Sequence, residues 1–82
     1  MIYQVLLHPV AAEFIKKLMP EIQERIKKKL KLLEENPFYY LEHFEGNYYK
    51  LRIGDYRLLI DVDFEKKLIL VQVADHRNRV YK

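Results

Sequence analysis

The stretch from Tyr48 to Asp63, YYKLRIGDYRLLIDVD, alternates side-chain character on both sides of the pair Gly54-Asp55. A period of two means extended chain, and a Gly-Asp pair between two such runs reads as a tight turn. The residues therefore form two strands of one hairpin. The alternation also sorts their side chains. Tyr49, Leu51, Ile53, Tyr56, Leu58, Ile60 and Val62 fall on one face. Tyr48, Lys50, Arg52, Arg57 and Leu59 fall on the other. The first face needs a second layer to cover it. The second is an open face of cations and a tyrosine.

The covering layer lies upstream. IYQVLL, from Ile2 to Leu7, is a β-rich apolar run bounded by His8-Pro9, and predicts a first strand. Pro9 suits the first turn of a helix, and Val10, Phe14, Ile15 and Leu18 make a helical stripe reaching towards Met19. Pro20 cannot continue that helix but can begin another. Ile22, Ile26, Leu30 and Leu33 then recur at spacings of four, four and three. Glu21 and Glu24 sit near the start of this second helix and Lys27, Lys28, Lys29 and Lys31 further along, as the helix dipole favours. Asn36-Pro37 ends it. Phe38 to Asn47 is expected to be a loop, with Tyr39, Tyr40 and Phe44 as a lid over the core. After the hairpin, Lys67 to Asp75 forms a further strand, apolar on both faces and hence interior. NRVYK at the end extends the sheet or runs along its edge. The expected fold is α+β, in the order β-α-α-β-β-β, with a helical hairpin packed on one face of a mainly antiparallel sheet. The 82 residues are expected to form a single domain, 1–82.

Composition removes several classes of function. The chain has no cysteine, so disulfide scaffolds, Cys-based zinc sites and thiol nucleophiles are excluded. Half of the residues are hydrophobic and 33% charged, which fits a folded globule. The net charge of +3 is small, but Arg77, Arg79 and Lys82 follow His76 with no acid among them. No secretory pattern opens the chain, and no apolar run nears the roughly 20 residues that span a bilayer; a cytoplasmic location without membrane contact is expected. His43 beside Glu42 and Glu45 is a weak sign of a metal site and is discounted, and Asp61, Asp63 and Asp75 are read as turn and edge residues. The Lys27–Lys31 run reads as the wet face of an amphipathic helix, or as a track for RNA phosphates.

Three landmarks occur in order: EENP (Glu34 to Pro37), Gly46 followed by YYKLRIGDYRLLI (Tyr48 to Ile60), and the ending DHRNRVYK (Asp75 to Lys82). Together with the β-α-α-β-β-β frame, they resemble the RelE/ParE superfamily of toxins, on the RelE side. The resemblance implies a RelE-like, microbial ribonuclease-like fold and the toxin component of a type II toxin–antitoxin system. RelE-type members enter the ribosomal A site and cleave mRNA there, without metal or cofactor. The implied partners are a RelB-like cognate antitoxin, the ribosome and mRNA, and operator DNA only as the toxin–antitoxin complex. Lys50, Arg57, Arg77 and Tyr81 match family positions implicated in catalysis. Tyr48, Arg52, His76 and Arg79 are the matching candidates for RNA binding. The chain departs from the pattern at Tyr48 and His76, where some relatives carry Lys, and it lacks the C-terminal helix of some members.

The residue types suit metal-free RNA cleavage. The ribose 2′-hydroxyl attacks its own phosphate, so a proton must leave it, negative charge must be held, and the 5′-oxygen must be protonated. Guanidinium forks match phosphate oxygens, which suits Arg57 and Arg77. Lys50, crowded by Arg52 and Arg57, supplies charge or acts as base. Tyr81 stacks on a base or gives a proton. Tyr48 stacks or replaces a missing base, and His76 can share acid–base work. Two alternatives remain: a ParE-like protein-binding inhibitor of DNA gyrase, and a catalytically degenerate toxin acting as a binding module.

Overall fold

Each helix in the computed structural model, which describes residues 2–76, opens on a proline. The first strand, β1 (Gln4–Leu7), leads through His8 into α1 (Pro9–Lys16), and α2 (Pro20–Leu33) follows. His8 caps α1, its Nδ1 accepting from the Val10 N–H at 3.2 Å. This satisfies one of the donors that every helix start leaves open. α1 ends at Lys16, three residues short of the expected Met19. Carbonyls at its end and just beyond are met from α2: Gln23 Nε2 donates to Lys16 O at 3.2 Å and to Leu18 O at 2.7 Å. Leu33 is the last residue of α2, and Asn36-Pro37 stops it as expected. The Glu34 carbonyl then accepts from the N–H groups of Ile2 (3.0 Å) and Tyr3 (2.8 Å), tying β1 to the end of α2.

The region expected to be a loop contains two elements. Pro37–Tyr40 makes a single helical turn, α3, and Glu42–Glu45 makes a strand, β2. β2 is exposed throughout, so it carries no alternation of apolar and polar residues to betray it. A two-residue connection, Gly46-Asn47, turns the chain into β3 (Tyr48–Ile53), with Gly46 at φ +56° where a side chain would be strained. Gly54, at φ +58°, does the same between β3 and β4 (Tyr56–Asp63). β5 (Leu68–His76) follows a loop folded by Asp63, whose Oδ1 accepts from the N–H groups of Glu65 (3.1 Å) and Lys66 (3.0 Å).

The five strands are ordered β1-β5-β4-β3-β2. β1 lies parallel to β5, from Gln4 opposite Leu68 to Leu7 opposite Val71, and the other pairings are antiparallel. The sheet is therefore mixed rather than wholly antiparallel. The reason is connectivity: two helices intervene between β1 and the rest, which gives the crossover a parallel pair requires. β5 is interior, as its apolar faces implied.

The helices cover one face. Leu51, Leu58, Ile60, Val62, Ile69 and Val71 from the sheet meet Ala11, Ile15, Ile26 and Leu33 from α1 and α2. A bulge at Gln72 shifts the β4–β5 register between Leu59 and Ile60, so that Val71 and Ala74 both point inward. Phe38, not Phe44, closes the core edge, with its ring stacked on Phe64 at 5.4 Å and edge-on to Tyr49 at 5.5 Å. Tyr40 packs on the core as expected, while Tyr39 is 82% exposed. No helix among the described residues is long and apolar enough to cross a membrane.

The Gln23 bridge is testable. Gln23→Ala should lower the unfolding free energy by about 1 kcal/mol in urea denaturation. Gln23→Glu should cost more, because it points a carboxylate at the same two carbonyls.

Candidate functional site

Ladder register places the candidate side chains in rows across the open face. Arg52 lies opposite Arg57, and Arg57 opposite Asp75. In the next row Glu42, Lys50, Leu59 and Val73 follow one another across β2, β3, β4 and β5. In the third, Glu45 faces Tyr48, Tyr48 faces Asp61, and Asp61 faces Leu70, which meets Leu6 on β1. Lys50, Arg52 and Arg57 thus stand among the carboxylates Glu42, Glu45, Asp61 and Asp75, while Leu6, Leu59, Leu70 and Val73 form an apolar strip.

The spacing of strands sets how close the cations sit. Neighbouring strands lie about 4.8 Å apart and alternate residues of one strand about 6.8 Å apart. Lys50, Arg52 and Arg57 therefore rise from backbone positions close enough for their long side chains to converge on one phosphate. Lys50 and Arg57 are half-buried, Arg52 is exposed, and Tyr48 is 41% exposed. The Lys50 Nζ lies 5.8 Å from the centre of the Phe44 ring, which props the ammonium at the sheet edge. Arg57 Nε is shielded from solvent, so the stem of that side chain is fixed in the face. Two like charges directly opposite on adjacent strands destabilise a sheet. Arg57 thus stands between a like charge, Arg52, and an opposite one, Asp75.

Not all of the sequence candidates belong to this group. His76 pairs with Tyr56 and sets its ring edge-on to it at 5.6 Å. Tyr56 in turn meets Phe14 of α1 at 6.1 Å. His76 therefore lies on the helix-covered side, away from Lys50 and Arg57. The bulge at Gln72 is what hides this from simple alternation. Arg77, Arg79 and Tyr81, with the NRVYK segment, lie outside the described residues.

Four carboxylates, Glu42, Glu45, Asp61 and Asp75, share the face with these cations. Asp75 stands opposite Arg57, and Glu42 opposite Lys50. The Gly46-Asn47 pair was the available signal for Glu42, since a two-residue turn there starts a strand pairing back along 42–45. Asp75 could be found only by allowing for the bulge. It also accepts from the His76 N–H through Oδ1 at 2.7 Å, which fixes its carboxylate. His43, discounted as a metal ligand, has its Nε2 2.8 Å from Gly46 O.

Comparison with known proteins fixes the family. The family model for the ParE toxin of the type II toxin–antitoxin system, parDE, matches residues 5–80. The chain belongs to this toxin family, within the RelE/ParE superfamily. Solved structures agree on the fold. The toxin–antitoxin complex RelBE2 from Mycobacterium tuberculosis matches with a TM-score of 0.83 at 25% identity, over 94% of this chain and 100% of that one. The archaeal RelE–RelB complex from Pyrococcus horikoshii OT3 gives 0.83 at 24% identity, over 98% and 100%. The intact RelBE complex of E. coli gives 0.77 at 26% identity, over 90% and 95%. No curated protein sequence matched. The chain is a RelE-like toxin of a type II toxin–antitoxin system.

The row across β4 and β5 can be probed energetically. In a double-mutant cycle, Arg57→Ala and Asp75→Ala should show a coupling of about 0.5 kcal/mol or more by urea denaturation, as directly opposed charges do. Zero coupling would mean that Asp75 has no part in holding Arg57.

Proposed function

We propose that this toxin is a metal-independent endoribonuclease that acts on the ribosome, cleaving mRNA in the A site and stopping translation. The observation that supports this reading most is the placement of Lys50, Arg52 and Arg57 together on one uncovered sheet face. The reaction asks for a dense, fixed positive charge around one phosphate. Arg57 and Arg52 would hold the phosphoryl oxygens as charge builds on them. Lys50 would add a third positive charge beside them. Attack of the 2′-oxygen forms a cyclic phosphate, and the 5′-oxygen leaves with a proton. Tyr48, exposed at the start of β3, would stack on a neighbouring base. Arg77 and Tyr81 enter this reading by their match to the family pattern.

The same face suits control by an antitoxin. In the matched complexes RelE is bound to RelB. A RelB-like segment with an acidic side and an apolar side would cover the cations and the strip formed by Leu6, Leu59, Leu70 and Val73. The bound antitoxin would then block the phosphate site outright. Any contact with operator DNA would come through that complex.

The match to a ParE family model favours one second reading, inhibition of DNA gyrase by protein binding. Primer extension on ribosomes translating a defined mRNA separates the two. Cuts at the A site, absent from naked mRNA, are expected for the wild type. Arg57→Ala and Arg77→Ala should each reduce the cleavage rate by about 10²–10³, the usual cost of removing one donor to a developing oxyanion. Intact mRNA with a folded toxin would overturn the nuclease reading, and a supercoiling assay would then test the gyrase one.

A further inference from the structure

A second set of cations faces the tip of the β3–β4 hairpin. Arg25, Lys28, Lys29 and Leu32 on α2, with Arg52, Ile53 and Gly54 on the hairpin, line an open groove of about 280 Å³. Four of these seven side-chain positions are Lys or Arg, and none is acidic. Lys29 is held at one end, its Nζ 5.3 Å from the centre of the Tyr40 ring. Arg25 and Lys28 are exposed on successive turns of α2, which puts them on one face of the helix. Among the described residues neither is ion-paired.

The groove is shaped as well as charged. A Cβ on Gly54 would stand 3.0 Å from Arg25 Nη2 and 3.6 Å from its Cζ. The guanidinium thus rests against the bare backbone of the turn. Gly46, in an equivalent turn, has nothing within 4 Å of such a Cβ. Gly54 is therefore set apart by this contact, which brings a cation from α2 up to the hairpin. Arg52 belongs to both regions: it lines the groove and pairs with Arg57 on the open face. A basic path runs from Lys50 and Arg57, past Arg52, to Arg25 and Lys28.

We propose that this groove is a second subsite for a phosphodiester backbone, taking RNA that flanks the segment held on the open face. Continuity through Arg52 and the absence of a carboxylate in the lining fit a polyanion with regularly spaced charges. The preference for RNA over an acidic protein segment rests on the nuclease reading of the neighbouring face. A single-stranded backbone is a suitable occupant because it bends around the hairpin edge and needs no sequence-specific pocket.

The test is an equilibrium titration of the whole protein with fluorescein-labelled oligouridylate, on the order of a dozen nucleotides long, at several salt concentrations. Each backbone contact contributes about 0.7 to the slope of log K against log salt for single strands. Arg25→Gln and Lys28→Gln should each flatten the slope by about that amount. Arg57→Gln should flatten it by a further, additive step. Lys28 is exposed, so its replacement carries no packing cost, and circular dichroism checks that the variants fold. An unchanged slope in the folded Arg25→Gln/Lys28→Gln double variant would overturn the proposal. So would displacement of the RNA by polyglutamate of equal charge at the same concentration, which would mark the groove as a seat for an acidic protein. The titration does not read cleavage, which primer extension measures separately. An active nuclease with an unchanged slope would sink the groove alone, and an inactive one with a flattened slope would sink the nuclease reading alone.

Discussion

Strand β4 has ladder partners on both sides for nearly its whole length, and its alternation admits one register. Leu58, Ile60 and Val62 are fully buried, while Arg57, Leu59 and Asp61 between them reach the other face. A slip of one residue would drive Arg57 and Asp61 into the core under α1 and α2. Burying a charge without a matched partner costs several kcal/mol, on the scale of the whole stability of a domain this small. The sheet is thereby locked, and with it the side on which the cations stand. The two-residue turn at Gly54 transfers that register to β3, and so fixes Lys50 and Arg52 relative to Arg57.

The hairpin and both of its faces were legible because β3 and β4 obey a strict period of two over a core that rewards it. The helices were legible from their stripes and prolines. What escaped was structure without that signature. β2 is exposed on every residue, so nothing apolar marks its pairing, and only the Gly46-Asn47 turn gives it away. α1 was read three residues too long because Leu18 and Met19 continue the apolar pattern, while backbone groups there are already met by Gln23 from α2. That is a tertiary contact, invisible in a local window. The parallel pairing of β1 is likewise a property of the crossover.

The site was legible in part for the same reason. Lys50, Arg52, Arg57 and Tyr48 came out together because they belong to the regular hairpin. The bulge at Gln72 adds one residue to β5 and inverts its alternation, which turns His76 to the helix-covered side. The inversion also brings Asp75 beside Arg57, where a carboxylate changes the electrostatics of the face. A single irregular residue thus decides on which side of the sheet both His76 and Asp75 stand. Bulges collect near functional sites because they re-aim side chains in this way without disturbing the rest of a ladder.

Arg52 and Arg57 lie directly opposite each other, a repulsive pairing that Asp75, on the other side of Arg57, offsets in part. The fold can bear the cost because the core beneath them, Leu51, Leu58 and Ile60, is among the best buried in the molecule. An anion bound between the two guanidinium groups removes the repulsion and adds charge-assisted hydrogen bonds. Ligand binding and fold stability are then coupled, since whatever binds the folded form alone stabilises it by mass action. On the nuclease reading proposed above, a substrate phosphate and an acidic antitoxin segment would be drawn to the same two guanidinium groups, which gives a physical basis for an inhibitor that silences a toxin by occupying its substrate's place.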